Sequence, residues 1–283
     1  MQRLIFSLFM FIALVCQPAH AESGDWFERG ERLHYLVEMW GWLNVGEAEI
    51  LFKPETEEKY TILARAWTSL SAFKLRDRLT TYGVHSDVQG EGPFYSARQV
   101  IELNENDYKA HKIINFDRSA KMVRYHNIQG NEEPVGFGAP EHVRDMISAL
   151  YYYRKTVGSV KVGDSYVHDV AQNDYIYRMN LSVVGKDKID GHHSFKVRPT
   201  MQKLNLKGEP IGEAKDTWVI WVRDDESFMP QRIEAKTKFG SFVASLKHAG
   251  PASAKSRVIS DIPETGEISN KNKKKSMLLE TVD

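Results

Sequence analysis

From Glu31 onward, apolar residues recur at every second position in short runs broken by turn-forming residues. That is the pattern of strands with one face in a core. Leu33, Tyr35, Val37 and Met39 share a face, and Ala48, Ile50 and Phe52 oppose Glu47 and Glu49. Tyr60, Ile62, Ala64 and Ala66 mark a further strand, and Lys74 to Gly83 another. Weaker runs lie at Phe94–Leu103, His111–Phe116 and Lys121–His126. A second series covers Val167–Ala171, Tyr175–Val184, Ser194–Pro199, Asp216–Arg223, Gln231–Lys238 and Ser241–Lys247. Asn173-Asp174 and Asp190-Gly191 are placed to make tight turns.

One stretch has helical periodicity, A-P-E-H-V-R-D-M-I-S-A-L-Y-Y-Y-R-K, from Ala139 to Lys155. Pro140 fits a first turn, Glu141 suits the positive end of the helix dipole, and Val143, Met146, Ile147 and Leu150 form one apolar stripe. About a dozen strands and one amphipathic helix predict a mostly-β fold, a large curved antiparallel sheet (half-barrel or open barrel) packed on that helix, because a broad twisted sheet tends to curl. Within it, W-V-I-W-V (Trp218 to Val222) is apolar on both faces. One side is expected to meet the helix and the other more protein or an apolar ligand.

The chain has 283 residues, 42% hydrophobic and 27% charged, with 38 basic and 38 acidic side chains. The balanced charge argues against a nucleic-acid partner. Arg3, the apolar run Leu4 to Val15 and Ala19-His20-Ala21 read as a signal peptide over residues 1–21, so a periplasmic location is expected, with no membrane span once it is cleaved. The sole cysteine, Cys16, lies inside that segment, which leaves the mature chain without thiol chemistry. The curved-sheet domain is expected over 22–249. From 250 to 283 the composition becomes that of a flexible tail, which contains a lysine-rich cluster, Lys271 to Lys275.

The segments F-E-R-G-E-R-L-H-Y-L-V-E-M-W-G-W-L-N-V-G-E-A (Phe27 to Ala48), F-K-L-R-D-R-L (Phe73 to Leu79), D-M-I-S-A-L-Y-Y-Y-R (Asp145 to Arg154), K-V-G-D (Lys161 to Asp164) and W-V-I-W-V-R-D-D-E-S-F-M-P (Trp218 to Pro230) run in order along the chain. Together they resemble a bacterial family of exported proteins known as domain of unknown function number 3108. The resemblance implies a mostly-β fold akin to the curved sheets of periplasmic lipoprotein carriers, and it brings no catalytic residues with it.

Candidate chemistry is sparse. His192-His193 follows a turn and its neighbours face opposite ways, so a shared metal is disfavoured. Asp224-Asp225-Glu226 lacks the spacing of a calcium loop, and no metal or cofactor is expected. Asp145, Ser148 and Tyr152 fall off the apolar stripe. A buried Asp145 would need a partner such as Arg144 or Arg154, and Ser148 has no nucleophile motif around it. No zinc-protease, P-loop or dinucleotide motif occurs. Arg76 and Arg78 share a strand face and are candidates for an anionic headgroup. Trp40, Trp42, Trp67, Tyr151, Trp218 and Trp221 complete the candidate ligand-binding set, since aromatics line greasy pockets or stack on sugars. The expected function is non-enzymatic binding or carriage of an amphipathic or lipid ligand within the sheet. The alternative is a cell-envelope interaction or scaffold protein recognising glycan or a protein partner through an aromatic patch.

Overall fold

The computed structural model describes residues 26–56, 59–69, 79–89, 95–105, 108–205, 207–215, 218–237 and 240–254. The signal-peptide reading, Arg76, Arg78 and the chain beyond 254 lie outside them. A single helical turn, α1 (Trp26–Arg29), precedes β1 (Glu31–Met39), β2 (Leu43–Thr56), β3 (Lys59–Ser69), β4 (Leu79–Gln89), β5 (Tyr95–Glu105), β6 (Tyr108–Asp117), β7 (Met122–Asn127) and β8 (Val135–Gly138). Then come α2 (Met146–Thr156), β9 (Ser165–Gln172), β10 (Tyr175–Ile189), β11 (His192–Leu204), β12 (Pro210–Lys215), β13 (Trp218–Arg223), β14 (Pro230–Thr237) and β15 (Gly240–Gly250).

All the strands join one antiparallel sheet in the order β8-β7-β6-β5-β4-β3-β2-β1-β15-β14-β13-β11-β10-β9, with β12 paired to β11. Two meanders therefore meet in the middle, where the first strand lies beside the last: Arg32 pairs with Gly250 and Met39 with Phe242. β8 and β9 are the two ends of the path, and the sheet is not closed into a barrel.

The strand runs follow the alternation closely where a core face exists. β1 alternates buried and half-buried positions from Leu33 to Met39. Asn173 and Asp190, at the two predicted turns, have φ of 53° and 47°, the left-handed conformation that Asn and Asp tolerate. Several boundaries differ from the sequence pattern: β10 runs past Val184 to Ile189, and β11 runs from His192 to Leu204, because the two strands pair along that whole length. β4 extends to Gln89, six residues past Gly83, because β3 and β5 pair with it on both sides through Lys59↔Gln89 and Gln89↔Tyr95. β8 (V-G-F-G) is only four residues long, and β12 carries no apolar alternation. β8 is held to β7 as an edge ribbon, and every residue of β12 is exposed.

The helix is shorter than its periodicity. It starts at Met146, and Asp145 is its N-cap, with φ −74° and ψ 164°. Residues 139–145 are instead turned and then extended. Arg144 makes a parallel bridge to Val170: its N–H donates to the Asp169 carbonyl at 3.4 Å, and its carbonyl accepts from Ala171 N–H at 2.8 Å. Those backbone bonds cannot coexist with helical ones. The Asp145 carboxylate accepts from the N–H groups of Ile147 and Ser148, both at 3.0 Å, which satisfies donors every helix start leaves orphaned. Nor is the helix amphipathic in place. Met146 to Tyr151, Tyr153 and Arg154 are all buried.

Against it packs the inner face of the sheet. The Tyr151 ring stacks on Phe52 at 4.8 Å, with Trp26 at 5.9 Å and Phe27 and Tyr60 beside Phe52. Inside this apolar mass sits one ion pair. Arg154 contacts both oxygens of Glu31, the Nη2–Oε2 distance being 3.0 Å. Tyr151 also donates to Glu31, at 2.8 Å, while Arg154 Nε donates to the Ser227 carbonyl at 3.0 Å. Burial, and the negative charge of Glu31, push the Tyr35 and Tyr151 phenols far above their usual range.

Removing one member of such a pair strands a charge in the core. Arg154→Met is expected to cost about 3–5 kcal/mol of unfolding free energy, and adding Glu31→Gln is expected to restore part of it. Urea denaturation followed by circular dichroism measures both.

Candidate functional site

The candidate residues fall into separate environments. Tyr151 and Trp218 are core: Tyr151 is fully buried, and Trp218 shares the inner face with Ile220 and Val222. Trp221 points to the other face of β13 and is also buried. Its indole Nε1 donates to Asp187 at 2.7 Å, and Lys196 and Arg232 approach its ring at 5.3 and 5.5 Å. The second apolar face of Trp218–Val222 is thus covered by long side chains of adjacent strands, whose aliphatic stems shield the indole. Trp67 is buried on the same side of β3 as Leu63 and Arg65, and Arg65 ion-pairs with Glu49 at 2.5 Å.

Trp40 and Trp42 alone among these aromatics face solvent, at 42% and 70% exposure. They form the tip of the β1–β2 hairpin and their rings stack, 5.9 Å apart with planes 26° from parallel. The turn runs from Met39 to Trp42 and is closed by Trp42 N–H donating to the Met39 carbonyl at 3.4 Å. Its central residues, Trp40 and Gly41, have φ of 56° and 74°. Two positive φ values mark a type I′ turn, whose first central position favours Asn or Gly. A tryptophan there costs about 1–2 kcal/mol of backbone strain. Residues held in strain cluster at functional positions.

The tip is also fixed from below. Trp40 N–H donates to the Ser241 carbonyl at 2.8 Å. A Cβ on Gly240, at the start of β15, would stand 2.1 Å from Trp40 Nε1. Gly240, whose φ of 123° also favours glycine, leaves room for the indole to lie against the backbone, a role invisible without knowing that β1 neighbours β15.

The polar candidates serve structure. Asp145 finds its partners in hydroxyls rather than arginines: Ser96 donates to it at 2.6 Å and Ser148 at 2.5 Å. Ser148 is therefore a donor to the cap. Asp225 accepts from Ser227 within its turn, Asp224 pairs with Lys186 at 2.6 Å, and His192 and His193 are exposed at the start of β11.

One cluster escaped the sequence pattern. Where 139–145 crosses from β8 to β9, the buried Arg144 guanidinium lies 3.9 Å over Tyr152 and 5.1 Å over Tyr95. Its Nη1 donates to the His142 carbonyl and to His168 Nε2, each at 2.8 Å. Beside it, Asp169 holds Arg178 at 3.0 and 3.1 Å. A dent next to this seam, lined among others by Phe116, Arg118, Glu141 and Val143, has room for about 10 Å³, the size of one water.

A family model described as "Protein of unknown function (DUF3108)" matches residues 34–247. No curated protein matches the chain. Among solved structures, a β-barrel-like protein of domain of unknown function DUF1849 from Brucella abortus is similar at a TM-score of 0.54 and 13% identity, over 80% of this chain and 98% of that one. At that identity the likeness concerns the fold alone.

The strained tip gives a direct check. Trp40→Asn creates the Asn-Gly pair the turn prefers. Relief of about 1 kcal/mol is expected to offset the lost ring packing, leaving the urea midpoint unchanged or raised. A loss of more than about 1 kcal/mol of unfolding free energy, taken from the midpoint and slope, would mean that Trp40 is retained for packing.

Proposed function

The chain belongs to the DUF3108 family, and we propose that it is an exported, non-enzymatic protein of the cell envelope that recognises glycan through the Trp40–Trp42 tip. The observation that carries this is the pairing of strain with exposure. A type I′ turn spends its favoured Asn position on a half-exposed indole, and the next indole stands further out. Flat indole faces stack on the apolar faces of sugar rings, and Trp combines a large contact area with a polar N–H.

Carriage of an acyl chain inside the sheet, the other reading of a curved sheet, finds less support. Tyr151 and Trp218, which would line the guest's path, are packed against protein. A non-enzymatic role accords with the consumption of Asp145, Ser148 and Ser96 in capping α2. The signal-peptide pattern of residues 1–21 supports the periplasm as the place of action.

Co-sedimentation with purified peptidoglycan sacculi, and separately with phospholipid vesicles, tests the reading. The wild-type chain is expected to pellet with sacculi, and Trp40→Asn/Trp42→Ser to remain in solution. Equal pelleting of the two proteins, or retention on vesicles alone, would remove glycan recognition by the tip.

A further inference from the structure

We propose that the seam between β8 and β9 is an acid-operated latch, held shut by the contact of Arg144 with neutral His168. The sheet's two end strands are bridged here by residues 139–145. This connector hydrogen-bonds to the turn just before β7 through Ala139 N–H and the Lys121 carbonyl at 2.9 Å, and to β9 through Arg144. Its side-chain anchor is Arg144, 2% exposed. A guanidinium can only donate, so the 2.8 Å contact requires His168 Nε2 to accept. The imidazole then carries its proton on Nδ1 and is uncharged. Protonating Nε2 deletes the hydrogen bond and sets two cations in contact.

The groups facing His168 offer an imidazolium little relief. From the connector come Arg144 and His142, whose ring is 5.9 Å away. From α2 come Tyr152, stacked at 5.7 Å, and Tyr153, edge-on at 5.5 Å. From β10 the residue opposite is Met179. On β9 itself, the neighbouring Asp169 is bound to Arg178 and has His142 at 3.8 Å. Burial first, then Arg144 and His142, lower the His168 pKa from 6.5 to about 3.

The sign follows from linkage. A base whose pKa is depressed in the closed state favours the open state once the pH falls below the open-state value. With 6.5 open and about 3 closed, moving from pH 7 to pH 5 raises the open population about 25-fold. The second clasp across the seam, Lys112 Nζ donating to Asn173 at 2.9 Å, is unaffected, because acid keeps the ammonium charged. Opening therefore begins at the Arg144 end, where α2 is attached.

Hydrogen exchange of the full chain, read by mass spectrometry at pH 7 and pH 5 and corrected for the intrinsic exchange rate, tests the latch. Peptides covering 139–148 and 165–173 are expected to gain about 25-fold in opening at pH 5, while β1 and β2 do not change. In His168→Gln, which keeps an acceptor but cannot be protonated, the gain is expected to vanish. The latch is overturned if the variant shows the same gain, if the gain spreads evenly over the sheet, or if none appears. Should the variant not fold, proton NMR of the wild-type histidines decides the matter. A His168 that titrates near 6.5 with no change in exchange at the seam would rule the latch out.

Discussion

The buried pair of Glu31 and Arg154 is the contact on which the inner side of the molecule depends. Glu31 opens the first strand, Arg154 sits in the last turn of α2, and the Ser227 carbonyl that takes the Nε proton belongs to the β13–β14 loop. One guanidinium thus ties the N-terminal meander, the connecting helix and the C-terminal meander to a common point. Ion pairs this deep are poor sources of net stability, because desolvation cancels most of the attraction. Their value lies in what they forbid. With Trp26 lying 4.2 Å over the Arg154 guanidinium and Tyr151 donating to the carboxylate, any other seating of the helix would leave a charge without its partner in an apolar medium.

That constraint works together with the topology. Because β1 lies between β2 and β15, the middle of the sheet cannot form until nearly the whole described chain is present. Pairings such as Arg32 with Gly250 place this protein among folds dominated by non-local contacts, which form slowly. A helix that can dock in one way only reduces the register errors open to such a sheet during that search.

Period-two alternation made the curved sheet and most strands legible, since a one-residue slip would turn every core residue outward. It failed where the determinant lies elsewhere in the chain. Val143 continues the helical stripe of Met146, Ile147 and Leu150, yet Arg144 bonds to β9, and that bond keeps the helix from starting before Met146. The two-faced strand Trp218–Val222 suggested space for a guest. In the fold, Trp221 is covered by Lys196, Arg232 and Asp187, residues that alternation reads simply as a wet face. Of the candidate site, only Trp40 and Trp42 are brought together, and the sequence could not separate them from the core tryptophans. What sets them apart is a positive φ and an exposed ring, neither of which hydropathy encodes. Arg76 and Arg78 fall outside the described residues.

Strain and stability are kept at opposite ends of β1. Glu31 lies at its start and the strained turn follows its end at Met39, roughly 30 Å apart at 3.3 Å per residue. Between them the strand is paired on both sides, to β2 and β15, so a force or ligand at the tip meets a stiff lever rather than a loop. The backbone cost of Trp40 is carried by that lever, through its bond to Ser241 and the bare backbone of Gly240. An isolated hairpin with a tryptophan in this turn would relax or slip register. Here the neighbouring strand seats the Trp40 indole against Gly240, so the exposed pair is preorganised, and the proposed glycan recognition would lose little ordering entropy on stacking.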